Sequence, residues 1–235
     1  MKIKVCGMRD GENISQVAAL GVDWIGMVFY AQSPRNVTMI PTNAGIIPDR
    51  ANAQCTLSDV QYKRVGVFVD EMAQNIVTRV VNFRLDAVQL HGNESPTLIR
   101  NLRATLTTSP SPAGADASVC PPIAPGLQIW KAISIGTADD LALCKKYEDC
   151  VDMFVFDTKT PDHGGSGRHF DWSILDAYDG PLPFLLSGGI APDDAAAIKA
   201  FRHPRFVGID INSRFETAPA MKDVGLIEDF IARLQ

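Results

Sequence analysis

Titratable side chains that can move protons follow several short apolar runs of this chain. Cys6 follows one run, His91 follows another, and Asp157 ends a third in Phe154-Val155-Phe156-Asp157-Thr158. A thiol, an imidazole and a carboxyl group at such positions could act as general bases or acids. The residue types alone leave other roles open, because a lone cysteine is often a small buried hydrophobe and an aspartate often bonds nearby amides.

Glycines and small polar residues late in the chain indicate a site for a phosphate group. Gly188-Gly189 follows one apolar run and Asn212-Ser213 follows the next. Glycine lets backbone amides approach an anion closely, since it has no Cβ. In Gly164-Gly165-Ser166-Gly167 we expect a lid that closes on the phosphate. The alternatives are a tight turn at Gly188-Gly189 and an ordinary flexible loop at the lid.

A larger framework must position these residues, and the chain has the pattern of repeated βα units. Short β-branched apolar runs alternate with segments of helical periodicity. Eight runs are predicted as strands: Ile3–Gly7, Trp24–Phe29, Arg64–Val69, Ala87–Leu90, Gln128–Ile133, Met153–Asp157, Phe184–Ser187 and Phe206–Ile211. Helices are predicted over Glu12–Leu20, Met72–Phe83, Pro96–Leu106, Ala138–Cys150, Trp172–Tyr178, Asp193–Phe201 and Val224–Leu234.

Two segments fit this pattern poorly. Between Pro41 and Tyr62, prolines and a glycine allow only a short or broken second helix, near Leu57–Tyr62. Residues 107–126 are rich in Pro, Ser and Ala and are predicted to form a surface excursion. Because that excursion joins a helix to a strand, it would lie on the face of a βα barrel opposite the catalytic loops.

The number of units favours a closed barrel over an open doubly wound sheet. Eight units ending in a helix match a (βα)8 TIM barrel, which takes about 250 residues as one unit. The first strand also lacks the GxGxxG turn of a dinucleotide-binding sheet. We therefore predict a single α/β domain over residues 1–235, with catalytic side chains at the C-terminal ends of its strands.

Composition and charge restrict the class of protein. The chain of 235 residues is 46% hydrophobic and 21% charged, with a formal net charge of −5. No basic surface for nucleic acid or an anionic membrane is expected, whereas a small anionic metabolite is compatible. The five scattered cysteines lack a zinc-binding spacing, so reduced thiols and no metal are predicted. Since no apolar signal region or membrane span is found, we expect a cytoplasmic protein.

The motifs at the strand ends together resemble those of the phosphoribosylanthranilate isomerase family. They follow the family's order over nearly the whole chain. They are Lys4-Val5-Cys6-Gly7, Ser33-Pro34-Arg35, Gln89-Leu90-His91-Gly92, Phe156-Asp157-Thr158, Gly164-Gly165-Ser166-Gly167 with Phe170-Asp171-Trp172, and Ser187-Gly188-Gly189. Each motif is weak by itself, but their joint occurrence is specific.

The resemblance implies a reaction and a role for several residues. Family members convert N-(5-phosphoribosyl)anthranilate into 1-(o-carboxyphenylamino)-1-deoxyribulose 5-phosphate in tryptophan biosynthesis, with no cofactor or metal. By this match Cys6 is the general base and Asp157 the general acid of an Amadori rearrangement. Arg35 is expected to face the anthranilate carboxylate, and His91 to line the site or to pack at its strand end.

Some features remain open at this point. Arg214 stands where family members often have glycine, so either its amide still serves the phosphate or its side chain adds a cation. Asp210 is either a substrate-binding residue or a helix cap.

Two other functions are compatible with a phosphate-binding barrel. Other phosphosugar barrel isomerases carry an aspartate in place of Cys6, so the cysteine argues against membership of those families. The alternative of another class is a catalytically inactive barrel that only binds a ligand or a partner. A monomer and a homodimer are both compatible with the sequence.

Overall fold

The strands of this protein form a closed parallel barrel. The structure, a computed structural model, describes residues 1–38, 62–107, 123–159 and 170–235. Eight strands pair in chain order, and β1 also pairs with β8. The strands are β1 Lys2–Val5, β2 Trp24–Phe29, β3 Lys63–Phe68, β4 Ala87–Leu90, β5 Gln128–Ile135, β6 Met153–Thr158, β7 Phe184–Leu186 and β8 Phe206–Ile211. The predicted (βα)8 barrel is therefore confirmed.

Helices follow most of the strands. The α-helices are α1 Gly11–Ala19, α2 Ala73–Phe83, α3 Pro96–Thr107, α4 Ala195–Ala200 and α5 Val224–Leu234. Two of them begin at an aspartate whose side chain accepts a backbone N–H, Asp10 before α1 and Asp223 before α5. After β8 the chain forms a short hairpin of β9 Glu216–Ala218 and β10 Met221–Lys222.

Two predicted α-helices are 3₁₀ helices instead, over Ala138–Lys146 and Trp172–Ala177. Their buried residues are three positions apart, Leu141 with Cys144 in the first and Trp172 with Leu175 in the second. A helix with three residues per turn places residues i and i+3 on the same face. A 3₁₀ helix therefore buries both residues of each pair against the barrel.

Several predicted segments lie outside the described residues. They include most of the second helical slot near Leu57–Tyr62, most of the excursion over 107–126, and the glycine-rich segment with Gly165, Ser166 and Gly167. The two ends of the excursion are described, and the Ala124 N–H donates to the Leu106 carbonyl oxygen at 2.9 Å. The described residues on either side of this segment therefore lie close together.

The apolar filling of the barrel forms the floor of a cavity. A buried cluster consists of Trp24, Val65, Ala87, Trp130, Ala132, Met153, Val155 and Leu185. Residues two positions apart on a strand face the same side. Gln89 follows Ala87 by two positions, as Asp157 follows Val155, and both Gln89 and Asp157 line the cavity. Because the polar residue comes later on each strand, the cavity lies at the C-terminal ends of the strands.

Candidate active site

A cavity of about 590 Å³ at the C-terminal ends of the strands contains most of the predicted site residues. This volume falls in the range of small-molecule sites. The predicted residues that line it are Cys6, His91, Asp157, Gly188, Gly189, Asp210, Asn212 and Ser213. Of the predicted residues that the structure describes, Arg35 is outside this lining. The C-terminal ends of the strands thus bring a thiol, an imidazole and two carboxyl groups to one cavity.

Cys6 lies immediately after β1, with its thiol buried beside a lysine. The Cys6 N–H donates to the Ile211 carbonyl oxygen at 2.9 Å, which continues the β1–β8 pairing. Burial raises the pKa of the Cys6 thiol above its ordinary value, although the positive charge of the neighbouring Lys4 opposes that rise. The thiol is therefore protonated near neutral pH unless positive charge beside it increases.

Lys4 and Asp210 form a buried ion pair next to Cys6. Lys4 Nζ is 2.7 Å from Asp210 Oδ2, and both side chains are buried. Asp210 lies within β8, so of its two alternatives the helix cap is wrong, and substrate binding stays a prediction. The sequence argument assigned no role to Lys4, although a lysine inside an apolar strand is itself a signal of a buried ion pair.

Asp157 contacts His91 across the cavity. His91 Nε2 is 3.1 Å from Asp157 Oδ2, and the Thr158 N–H donates to Asp157 Oδ1 at 2.8 Å. On its other side, His91 Nδ1 is 3.4 Å from the Gln89 side-chain nitrogen. The imidazole is therefore held between an amide and a carboxyl group, where it can exchange a proton with Asp157.

A buried ion pair that sequence reasoning missed holds the loop that carries His91. Lys131 Nζ is 3.2 Å from Glu94 Oε2 and donates to the Gly92 carbonyl oxygen at 2.7 Å. Glu94 in turn accepts the N–H groups of Gly92 and Asp70, at 3.0 and 3.1 Å to its Oε1. Burial lowers the pKa of Lys131, while the neighbouring Glu94 opposes that shift. Lys131 and Glu94 thus tie β5 to the turn after β4.

The predicted phosphate-binding residues form the part of the cavity near β7 and β8. Gly188 and Gly189 have φ angles of 84° and 71°, in the left-handed region that favours glycine. A Cβ at Gly188 would lie 2.5 Å from Asp157 Oδ1, so a side chain there would collide with the candidate acid. Asn212 and Ser213 line the cavity, whereas Arg214 is exposed, and its backbone avoids the left-handed region. Arg214 therefore occupies the position without the conformation that needs glycine, and both of its alternatives stay predictions.

Arg35 is bound to a carboxylate of its own chain. Its Nε is 2.9 Å from Glu216 Oε1, and its Nη2 is 2.6 Å from Glu216 Oε2. Glu216 also pairs with Lys222, whose Nζ is 2.6 Å from Oε1. Lys222 donates in addition to Asn212 Oδ1 at 2.7 Å. This network joins Arg35 and the β9–β10 hairpin to Asn212, which lines the cavity.

Three cavity-lining residues have buried oxygen atoms that lack a hydrogen-bond partner among the described residues: Asp210 Oδ1, Gln89 Oε1 and Thr158 Oγ1. A buried polar atom without a partner costs about 1–3 kcal/mol. Ligand hydroxyl groups or water would satisfy them, so the cavity is suited to a polyhydroxylated ligand.

Within the described ranges, no group of three or more His, Cys, Asp or Glu side chains could hold a metal ion. In the same parts of the chain, none of the helices is both long enough and apolar enough to cross a membrane.

The chain is similar over nearly its whole length to one family of known proteins. A family model described as N-(5'phosphoribosyl)anthranilate (PRA) isomerase matches residues 3–111 and 116–233. The N-(5'-phosphoribosyl)anthranilate isomerase of Parabacteroides distasonis is 43% identical over 235 residues, which are 100% of this chain and 93% of that protein. The protein of the same name from Phocaeicola vulgatus is 39% identical over 235 residues, covering 100% and 98% of the two chains.

A solved structure has the same fold. The phosphoribosyl anthranilate isomerase of Thermotoga maritima is 26% identical to this chain, with a TM-score of 0.71, and the match covers 100% of this chain and 98% of that one.

Proposed function

The chain belongs to the N-(5'-phosphoribosyl)anthranilate isomerase family of tryptophan biosynthesis, and we propose that Cys6 is its general base and Asp157 its general acid. The substrate is N-(5-phosphoribosyl)anthranilate, and the product is its isomer 1-(o-carboxyphenylamino)-1-deoxyribulose 5-phosphate. The observation that carries this assignment is that both side chains line one cavity at the C-terminal ends of β1 and β6. In a TIM barrel this is the end where catalytic residues occur.

The acid step opens the furanose ring. Asp157 in its protonated form gives a proton to the ring oxygen, the bond between C1 and that oxygen breaks, and the anthranilate nitrogen forms a protonated Schiff base with C1. His91 Nε2, at 3.1 Å from Asp157 Oδ2, orients the carboxyl group and can exchange a proton with it. That contact supports a role for His91 in the site rather than in packing alone.

The base step moves the proton from C2. The Schiff-base cation makes the adjacent C–H more acidic, and the Cys6 thiolate removes that proton to give an enolamine. Tautomerisation of the enolamine then gives the ketone. No atom is gained or lost, so the reaction needs one base and one acid and no redox partner.

Binding requires groups for a phosphate, a carboxylate and sugar hydroxyls. The backbone amides near Gly188 and Gly189, with Asn212 and Ser213, would hold the phosphate, because the glycines let the anion approach the backbone. Asp210 Oδ1, which lacks a hydrogen-bond partner among the described residues, would accept a hydrogen bond from a sugar hydroxyl. Arg35 would bind the anthranilate carboxylate. To do so, its guanidinium group must rotate away from Glu216, which it contacts in the structure. A lid at Gly165, Ser166 and Gly167 stays a prediction.

The proposal also includes the partners and the location of the protein. The substrate would be a small phosphosugar, and no partner of nucleic acid or membrane is part of the proposal. The Thermotoga maritima relative is described as dimeric, and for this chain both a monomer and a homodimer stay predictions. A cytoplasmic location also stays a prediction.

The activity test uses freshly made phosphoribosylanthranilate and follows the loss of its anthranilate-type fluorescence. We expect turnover by the wild-type protein and losses of about 100-fold or more in kcat for Cys6→Ser and Asp157→Asn, since a positioned acid or base contributes 10²–10⁴-fold. Cys144→Ser is the matched control, because Cys144 is also buried but does not line the cavity. An inactive wild-type protein, or normal turnover by both cavity variants, would refute the proposal.

A further inference from the structure

We propose that Lys4 is a positioning residue whose ammonium group stabilises the thiolate of Cys6, and that Asp210 limits this effect by holding Lys4 in an ion pair. The inference rests on the proposed function of Cys6 as the base. It assigns Lys4 a part in the reaction without contact with the reacting atoms. It also gives Asp210 an electrostatic role in addition to ligand binding.

The contacts bring the three groups into one buried cluster. Lys4 and Cys6 are two positions apart on the chain and face the same side of the barrel. A Cβ placed on Gly26 of β2 would lie 2.8 Å from Cys6 Sγ and 3.2 Å from Lys4 Cε, so both side chains occupy the space that this glycine leaves. Asp210 reaches the cluster from β8, with Oδ2 at 2.7 Å from Lys4 Nζ. Each of the three side chains is at least nine-tenths buried.

The charge of the cluster determines whether the thiol ionises. With Cys6 protonated, the Lys4 cation and the Asp210 anion cancel, and the cluster is neutral. Loss of the thiol proton to solvent gives the cluster a net negative charge, which burial disfavours. Lys4 lowers the pKa of Cys6 and Asp210 raises it, and the effect of Lys4 is the larger of the two. The ion pair therefore favours the thiolate, but less than a lone ammonium would.

One further charged group acts on Cys6. Lys222 of β10 lowers the pKa of the thiol, although its own ammonium is paired with Glu216 at 2.6 Å. The groups that face Cys6 are thus Lys4 from β1, Asp210 from β8 and Lys222 from β10. A ligand that donates a hydrogen bond to Asp210 Oδ1, or that brings a cation into the cavity, reduces the negative charge felt by the sulfur. Binding would then promote formation of the base.

The test measures the ionisation of Cys6 without using catalysis. Iodoacetamide reacts with the thiolate, and mass spectrometry of the Cys6 peptide gives the alkylation rate as a function of pH. Cys6 lines the cavity, and its alkylation in the folded protein is compared with that of Cys144, which is buried outside the cavity lining. Wild type is compared with Lys4→Met, Asp210→Asn and the double variant, each checked for folding by circular dichroism.

The inference predicts shifts of opposite sign. Lys4→Met raises the midpoint pH of Cys6 alkylation by about one unit or more, because a nearby opposite charge shifts a pKa by about 1–3 units. Asp210→Asn lowers the midpoint, because loss of the thiol proton then gives a neutral ion pair with Lys4. The double variant loses both effects on the pKa of Cys6. Its midpoint is above that of wild type, because the lost lowering by Lys4 is larger than the lost raising by Asp210.

A merely structural role predicts another pattern. Packing damage would move both single variants in the same direction and would also expose the buried Cys144 and Cys150, whose peptides are the internal controls. If Lys4→Met does not fold, the Asp210→Asn shift decides alone: a lower midpoint supports the inference, and an unchanged or higher one overturns it. If Cys6→Ser keeps normal turnover, the proposed base is wrong, yet the alkylation midpoints still decide whether Lys4 controls the thiol.

Discussion

Charged side chains buried around the cavity are compensated by partners of opposite charge. Lys4 pairs with Asp210, Lys131 with Glu94, and Glu216 with both Lys222 and Arg35. Moving a charge out of water is costly, and an ion pair offsets that cost only when further hydrogen bonds complete it. These pairs are therefore weak evidence for added stability. Their position at the catalytic end of the barrel favours a role in holding the groups that act on the substrate.

The ionisation of Glu216 should make the stability of the protein depend on pH. Burial would raise the pKa of Glu216, but hydrogen bonds from Arg35 and Lys222 outweigh burial and lower it below the ordinary value. A carboxyl group with a lowered folded-state pKa stabilises the fold above its unfolded-state pKa, and this contribution is lost as the pH falls through the folded-state value. For Glu216→Gln we expect a loss of about 2 kcal/mol in the free energy of unfolding at neutral pH.

The measurement is urea-induced unfolding of wild type and Glu216→Gln from about pH 7 down to about pH 3. The difference between the two proteins should shrink below about pH 4, where the unfolded-state carboxyl group protonates. Glu228→Gln is the matched control, because Glu228 is exposed on α5, and we expect a change within about 0.5 kcal/mol. A difference that stays constant with pH would mean that the charge of Glu216 is not what stabilises the hairpin.

Sequence reasoning found residues by their place on strands and missed residues that act through partners. Cys6, His91 and Asp157 were predicted because each follows or ends an apolar run, and all three line the cavity. The Lys4–Asp210 pair was not predicted, since its two residues are 206 positions apart and only the closure of the barrel brings them together. For the same reason the pairing of Arg35 with Glu216, 181 positions away, could not be read from the chain.

At the scale of single elements, strands were easier to predict than helices. The strands are buried on both faces, so each forms an apolar run that is visible in the sequence. The helices contact the barrel on one side only, and over Ala138–Lys146 the buried residues are spaced for a 3₁₀ helix. Hydrophobic periodicity over so few residues does not distinguish three from 3.6 residues per turn.

The turn between β4 and α3 should depend on its buried ion pair. Glu94→Gln keeps an oxygen that can accept a backbone N–H, but it removes the carboxylate that is paired with the Lys131 ammonium beside the turn that carries His91. We expect a loss of about 3 kcal/mol in stability, as for a buried pair that loses one partner. A less firmly held His91 should also lower kcat about tenfold, while KM changes less. Urea unfolding and steady-state kinetics measure the two effects separately.

The control for Glu94→Gln removes the acidic partner of an exposed ion pair. Arg100 Nη2 and Asp149 Oδ2 are 2.5 Å apart, and their side chains are 51% and 64% exposed. Asp149→Asn should change stability by less than about 1 kcal/mol and leave kcat unchanged. Loss of stability in Glu94→Gln with normal kcat would limit the Lys131–Glu94 pair to a structural role.

At the scale of the whole molecule, the barrel closes through the pairing of its first and last strands. β1 and β8 pair from Lys2 with Gly208 to Val5 with Ile211, and this pairing also brings Asp210 beside Lys4. The eight apolar runs predicted the number of strands, but not the residues that meet at the closure. Because the first and last strands of the barrel are hydrogen-bonded to each other, we expect residues 1–235 to unfold as one domain.

The closure of the barrel should be sensitive to one glycine. A Cβ on Gly208 would overlap the backbone of Lys2, which the β1–β8 pairing holds in position, so Gly208→Ala must separate the two strands. We expect a loss of about 3 kcal/mol in the free energy of unfolding, the upper end of the range typical of overpacking in a core, and a parallel loss of kcat as Lys4 moves from Asp210. Gly225→Ala is the matched control, because a Cβ there would be 3.7 Å from its nearest neighbour and the residue lies in α5. Alanine at that helical position should stabilise the protein by about 0.5–1 kcal/mol. Denaturant unfolding of the two variants should therefore give changes of opposite sign, and a Gly208→Ala protein as stable as wild type would mean that the closure has room to yield.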